Sequence, residues 1–183
     1  FWLAINLPII ATSFGGWWRF FKLNLERSAD FGSIWFALNI LGVNTPGLND
    51  FYSLITIAAF ALLTYFLIKL DKTPTLSEVA FFVVVIFTTT SKVYSPQYVL
   101  WLTPLAVIAL RNNKQISAFW IWQATEMIYH LAIWQYLALD QGAEYGLPAG
   151  GYAVAILLRI AGTSWFTYKI ASDFHRSPAS ISR

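Results

Sequence analysis

The stretch Lys92-Val-Tyr-Ser-Pro-Gln-Tyr-Val-Leu-Trp101 sets a cation beside a helix-start signal, between two apolar runs. Ser95 has the side chain of an N-cap, and Pro96 suits the first helical position, where its missing N–H costs nothing. A helix starting there turns its first amides and the positive end of its dipole outward, and Lys92 adds a full charge beside them. That chemistry suits an anion, phosphate first of all. The same residues also read as an ordinary membrane hairpin with an interfacial lysine.

Two further groups carry charge. Gln123, Glu126, His130 and Trp134 recur at i, i+3, i+7 and i+11, which predicts one polar face of a helix turned to the interior. Arg159 falls mid-way along the last apolar segment, at the depth of Glu126, so the two are expected to pair. Such an intramembrane pair reads either as a lock between helices or as part of a functional site. His130 is a proton carrier or simply a hydrogen-bonded side chain. No second His or Cys lies near it, so it predicts no metal site. Arg27 and Asp30, three apart, are expected on one face of a surface helix, as a solvated ion pair or as part of a site. The sequence has no nucleophile elbow, no glycine-rich phosphate loop and no HExxH helix.

These residues need elements to place them, and the composition says of what kind. The 183 residues are 57% hydrophobic and only 11% charged, against roughly 25% charged in soluble domains, which predicts an integral membrane protein. A net charge of +3 with no basic cluster argues against nucleic acid as a partner. With no cysteine there is no disulfide, thiolate metal site or Cys nucleophile. Phe1 opens inside an apolar run, without Met, a basic n-region or a cleavage site. The chain is therefore read as the C-terminal part of one membrane domain rather than as starting in a signal peptide.

In order, 1–12 is expected to be the end of a helix, and 13–32, rich in Trp, Phe and charge, an interfacial helix. Residues 32–43 are apolar but too short to cross, so they read as re-entrant or interfacial, and the whole of 13–50 is an interfacial segment. Spans are expected at about 51–70, 78–91, 95–110, 116–139 and 152–170, with 171–183 as a polar tail. Thr75 and Glu78 have capping-box spacing at the start of the second span. The arms on either side of Lys92 are short, about 20–25 Å against roughly 30 Å of hydrocarbon, so their junction is expected in a recess below the membrane surface. Basic residues gather at Lys69/Lys72, Arg111/Lys114 and Lys169/Arg176/Arg183, which predicts that these ends are cytoplasmic. Segments 13–50, 91–97 and 140–151 then share the extracytoplasmic side, together with the acidic Glu26, Asp50, Asp140 and Glu144.

Several stretches together resemble the actinobacterial integral-membrane glycosyltransferases of family 87, in the GT-C superfamily. They are Asn6-Leu-Pro8, Trp17, Phe21, Arg27-Ser-Ala-Asp30 and Gly32-Ser33, then Lys92-Val-Tyr-Ser-Pro-Gln-Tyr98 and Leu100-Trp101-Leu-Thr-Pro-Leu105, and finally Leu157-Leu158-Arg159. The Lys-Val-aromatic-Ser-Pro-Gln-aromatic run is the most specific of these. The resemblance implies an all-α multi-helix transmembrane bundle of GT-C type with interfacial helices on the extracytoplasmic side. It implies an enzyme of the plasma membrane that moves a mannose- or arabinose-type sugar from a polyprenyl-phosphate donor to a cell-envelope glycan or glycolipid. Lys92, the amides of Ser95, Gln97 and Tyr98, and Arg27 with Asp30 beside it would receive the donor phosphate. Tyr94, Tyr98 and Trp101 would line the prenyl path, stack on sugar or merely anchor the interface. The family's acidic base, usually in the first extracytoplasmic loop, is expected upstream of this sequence, so no catalytic residue is assigned. No cofactor is required by these residues, and whether a divalent metal assists is left open. The competing readings are a transporter or flippase of a lipid-linked sugar, and a non-catalytic assembly subunit.

Overall fold

Thr75 and Glu78 form their capping box: the Thr75 hydroxyl accepts from the Glu78 N–H, and the Glu78 carboxylate accepts from the Thr75 N–H at 2.7 Å. They open α5 (Leu76–Thr90) in the computed structural model, which describes residues 1–70 and 72–175 and has no strand among them. Before it come α1 (Trp2–Thr12), α2 (Phe14–Glu26), α3 (Ile34–Ile40) and α4 (Leu48–Ile68). After it, a 3-10 turn (Pro96–Tyr98) leads into α6 (Val99–Ala109), then α7 (Asn113–Asp140) and α8 (Ala149–Ser172). The Asn112 side chain starts α7 by accepting from the amides of Lys114 and Gln115, as an N-cap should. Gly47, at φ 66°, takes the left-handed turn into α4 without a Cβ penalty. The part of the expected tail beyond 175, with Arg176 and Arg183, lies outside the described residues.

Polar side chains fix the direction of the helices. Lys92 bonds Asn49, so the end of α5 lies at the start of α4. The Glu78–Arg111 ion pair sets the start of α5 against the end of α6, and Gln115 donates to Asp173, joining the start of α7 to the end of α8. Helices α4 to α8 therefore alternate up and down. One end carries Lys69, Arg111 and Lys114, and the other carries Arg27, Lys92 and the 140–151 connection.

The core is two apolar clusters with a charged layer between them. At the Arg111 end, Phe81, Phe82, Leu102, Trp122 and Phe166 pack together, and the Trp122 and Phe166 rings stack at 5.2 Å. At the other end are Ala37, Tyr129, Tyr152 and Ile156. Each large side chain so buried contributes about 1.5–3 kcal/mol. Glu126 and Arg159 lie between the clusters on α7 and α8. The buried face of α7 runs through Gln115, Ala118, Trp122, Glu126, Tyr129 and Ile133, and this corrects the predicted polar stripe. Gln123 and His130 fall on its flanks, and Trp134, eight residues beyond Glu126, has rotated about 80° off the face and is 69% exposed.

Helices α1 and α2 bury no residue. They hold each other through a Trp17 Nε1 to Asn6 Oδ1 hydrogen bond of 2.8 Å and an aromatic run of Trp2, Phe14, Trp17, Trp18 and Phe21. The single helix expected over 13–32 ends at Glu26, because 27–33 turns away to pair with the Lys92 stretch. Among the described residues α4 is the one helix both long and apolar enough to cross a membrane. Helices α5 and α6 are apolar but have 15 and 11 residues, while α7 and α8, at 28 and 24, have the length but more polar side chains. An all-helical bundle is thus present.

Candidate functional site

The two stretches singled out around Asp30 and Lys92 meet in space. The Asp30 N–H donates to the Lys92 carbonyl at 2.8 Å, and Trp35 Nε1 donates to the Thr90 carbonyl at 2.9 Å. Ser33 caps α3 by accepting from the Phe36 N–H at 3.2 Å, and its own hydroxyl donates to the Asp30 carbonyl. Gly32 allows the approach, since a Cβ there would fall 2.0 Å from the Tyr94 carbonyl and 2.4 Å from the Tyr129 hydroxyl. Segment 30–40 therefore dips into the bundle to the depth of Tyr94.

Arg159 sets that depth. From Ala149 to Arg159 is ten residues, about 15 Å of helix, so the α5–α6 junction lies well below the start of α8. Its Nε donates to Glu126 Oε2 at 2.8 Å, one terminal nitrogen to the Tyr94 carbonyl at 2.9 Å and the other to the Ser95 carbonyl at 3.2 Å. Tyr94 and Tyr129 cover the guanidinium faces at 3.5 and 4.2 Å. Glu126 also accepts from the Tyr94 hydroxyl at 3.3 Å and Trp122 Nε1 at 3.2 Å. Both charges are buried and hydrogen-bonded, the arrangement a buried ion pair needs. His130 Nδ1 lies 2.8 Å from the Glu126 backbone carbonyl and not on its carboxylate.

This grip corrects the role read for Ser95. Its side chain makes no cap hydrogen bond, the following turn is a three-residue 3-10 turn, and the Tyr98 N–H bonds the Ser95 carbonyl. The Tyr98 amide is thus spent within the turn, and Pro96 has none to offer. Tyr94 is fully buried, so it lines no lipid path, whereas Gln97 is exposed and Tyr98 stacks on the exposed Trp101 at 4.5 Å. The predicted phosphate set therefore divides: Tyr94 and Ser95 belong to the Arg159 layer, Gln97 and Tyr98 to the surface, and Lys92, Arg27 and Asp30 to one cluster.

Lys92 is 4% exposed. Its ammonium donates to Asn49 Oδ1 at 2.6 Å and to the Leu25 carbonyl at 3.3 Å, and it stands 5.7 Å from the centre of the Tyr52 ring. Both acceptors are neutral, and among the described residues no carboxylate is within ion-pair distance. One of its three donors is left over. Burial, and then the Arg27 charge, holds its pKa below the usual lysine value. It faces a chamber of about 220 Å³ with Tyr52, Thr56, Phe87 and Ser91. Arg27 pairs with Asp30 at 3.2 Å across the end of α2, not along one helix face as expected, and Asp30 also accepts from the Phe31 N–H. On the far side of Leu25 and Asn49 opens a polar cleft of about 790 Å³ lined by residues of 25–29 and 39–50.

Sequence reasoning missed the opposite polar end. Glu78, 1% exposed, takes Arg111 at 2.5 Å, although the pattern marked Glu78 only as a cap and Arg111 only as a border charge. The capping box was the available sign that Glu78 points back into the fold. Among the described residues no group of three or more His, Cys, Asp or Glu comes together to hold a metal. Compared with known proteins, the chain matches no family model, no curated protein and no solved structure.

Proposed function

We propose that the protein is a multi-pass membrane glycosyltransferase of GT-C type, moving a mannose- or arabinose-type sugar from a polyprenyl-phosphate donor to a cell-envelope glycan or glycolipid. The reading places the Lys92 end of the bundle on the extracytoplasmic face of the plasma membrane, in keeping with the basic residues at the other end. One observation carries it: a buried ammonium bonded to two neutral oxygens and set beside the Tyr52 ring, with a donor to spare and a chamber next to it. Burying a cation without a counter-charge is costly, and an entering phosphate would relieve that cost.

In the transfer, the acceptor hydroxyl oxygen bonds to the anomeric carbon of the sugar as the bond from that carbon to the phosphate oxygen breaks. The hydroxyl proton passes to a base, which this reading does not assign, and the electron pair leaves with the phosphate. The donor diester carries a single negative charge and the departing monoester gains a second. A cation at Lys92 would meet this growing charge more strongly in the transition state than in the bound donor, which is where stabilisation raises kcat.

The test is sugar transfer by purified protein from synthetic polyprenyl-phosphate mannose and arabinose to short oligosaccharide acceptors. Product from either donor, lost in Lys92→Ala, is the expected result. Folded protein that forms no product from either, or that only moves donor across a vesicle bilayer, would overturn the enzyme reading.

A further inference from the structure

The cleft on the far side of Asn49 has a lining unlike the Lys92 chamber. Its volume of about 790 Å³ falls within the 300–1,000 Å³ of small-molecule sites. Three amide residues, Asn39, Asn44 and Asn49, line it, with Asn39 Oδ1 accepting from the Thr45 hydroxyl at 3.3 Å, and Gly42 and Gly47, at φ 81° and 66°, shape the loop that carries Asn44 along its rim. Its charges are Glu26, Asp50 and Arg27; the guanidinium is already paired with Asp30, and Glu26 with Lys22 at 3.7 Å, which leaves Asp50 unpaired among the described residues. Among the described residues the side chains of Asn44 and Asp50 have no partner.

This lining selects a ligand class by exclusion. An anion would meet two carboxylates with one committed guanidinium, and an apolar ligand would strand amides and carboxylates without partners. Two carboxylates fall short of a metal site. A neutral polyol fits: each hydroxyl both donates and accepts, an amide side chain answers in both senses, and a carboxylate accepts.

Position adds the second half of the argument. The Asn49 side chain lines the cleft and also bonds the Lys92 ammonium, so a polyol site and a cation without a counter-charge lie on either side of one side chain. We infer that the cleft between the end of α2, the 41–47 loop and the start of α4 is a sugar site, holding a glycosyl ring by Asn39, Asn44 and Asp50 next to the phosphate at Lys92. The inference rests on the proposed glycosyltransferase reading for the ring's source. The ring itself, from donor or from acceptor, has one chemistry.

Binding can be read without turnover. Saturation-transfer difference NMR on the full chain in nanodiscs, with methyl α-D-mannopyranoside and methyl α-D-arabinofuranoside as probes and glycerol as control, should show at least one glycoside bound. Asn44→Leu and Asp50→Ala should each raise its Kd about fivefold to tenfold, the loss of one hydrogen bond apiece, while Gln141→Ala on the exposed end of α7 leaves it unchanged. Asn44 and Asp50 are exposed, so both variants should fold, and circular dichroism verifies it. No binding of either glycoside, or binding that both cleft variants leave intact, overturns the inference whether or not the protein transfers sugar. Binding without any transfer would retain the cleft and remove the enzyme reading. Where transfer occurs, a raised KM for donor or for acceptor in Asn44→Leu tells which ring the cleft holds, and an unchanged KM for both overturns it.

Discussion

The Arg159 guanidinium lies 3.5 Å from the centre of the Tyr94 ring and donates to the carbonyl of the same residue at 2.9 Å. Arginine thus holds both the side chain and the backbone of the junction that presents Lys92 two residues earlier. Removing either member of the Glu126–Arg159 pair should destabilise by roughly 3–5 kcal/mol, since the remaining charge stays buried. Arg159→Gln should be the worse of the two, because the Tyr94 and Ser95 carbonyls also lose their donor. In detergent unfolding, the double variant Glu126→Gln/Arg159→Gln should lose less than the sum of the single losses. Simple additivity would show that the two do not interact.

Gly32→Ala should cost about 1–3 kcal/mol, because its Cβ meets the Tyr94 backbone oxygen at 2.0 Å and a main-chain atom cannot swing aside. Gly150→Ala, with nothing within 4 Å, should be neutral or gain up to about 1 kcal/mol of helix propensity. Thermal unfolding of both variants checks the contrast, and equal losses would mean that segment 30–40 does not dip as described.

Lys92→Ala should lower kcat/KM for the polyprenyl-phosphate donor by about ten- to a hundredfold, the value of a charge-assisted contact of roughly 1.5–3 kcal/mol. Lys92→Arg should retain part of the activity. A fall in kcat rather than a rise in KM would place the contact in the transition state.

The lowered pKa of Lys92 gives this activity a pH signature. On the proposed reading donor use needs the ammonium, so it should decline as pH rises through the folded pKa, at a pH below the ordinary lysine value of 10.5. Stability has the opposite sign. Below the folded pKa both folded and unfolded chains carry the proton. Between the folded pKa and 10.5 the folded chain has released it first, so the unliganded protein gains stability as pH rises through that window. Lys92→Arg, which stays charged, should flatten the alkaline limb of kcat/KM, and an unchanged limb would assign it to another group.

Sidedness can be read with introduced cysteines, since the chain has none. Single cysteines at the exposed Asn44 and Glu144 should react with an impermeant maleimide in intact cells, and one at the exposed Asn113 should react only after permeabilisation. The reverse pattern would turn the bundle over and put Lys92 on the cytoplasmic side.

What could be read from residues alone follows range. The Thr75–Glu78 box is made within four residues, so local spacing suffices for it. The Glu126–Arg159 contact needed only equal depth in two long helices. Ser95 misled because its environment is decided by Arg159, 64 residues away, which takes the carbonyl and leaves the hydroxyl without a helix to cap. Arg27 and Asp30 do pair, yet both lie beyond the end of the helix at Glu26, and the Asp30 amide goes to Lys92 instead of continuing the spiral. Trp134 shows the limit of extrapolating one face along a straight helix, since the error in angle grows with each turn. The cleft had no linear signature, being assembled from a helix end, a loop and a helix start.

The clamp at residues 94 and 95 also sets an order of assembly. The hairpin that bears Lys92 leaves the ribosome long before α8, and until Arg159 arrives the carbonyls of Tyr94 and Ser95 lack their arginine donor and Glu126 lacks its counter-charge. A nascent chain therefore carries this unsatisfied polar layer until Arg159 emerges, and α8 completes it. Chains cut short before residue 159 would leave this layer without its arginine and open to proteolysis, so one late side chain decides whether the earlier hairpin is sealed.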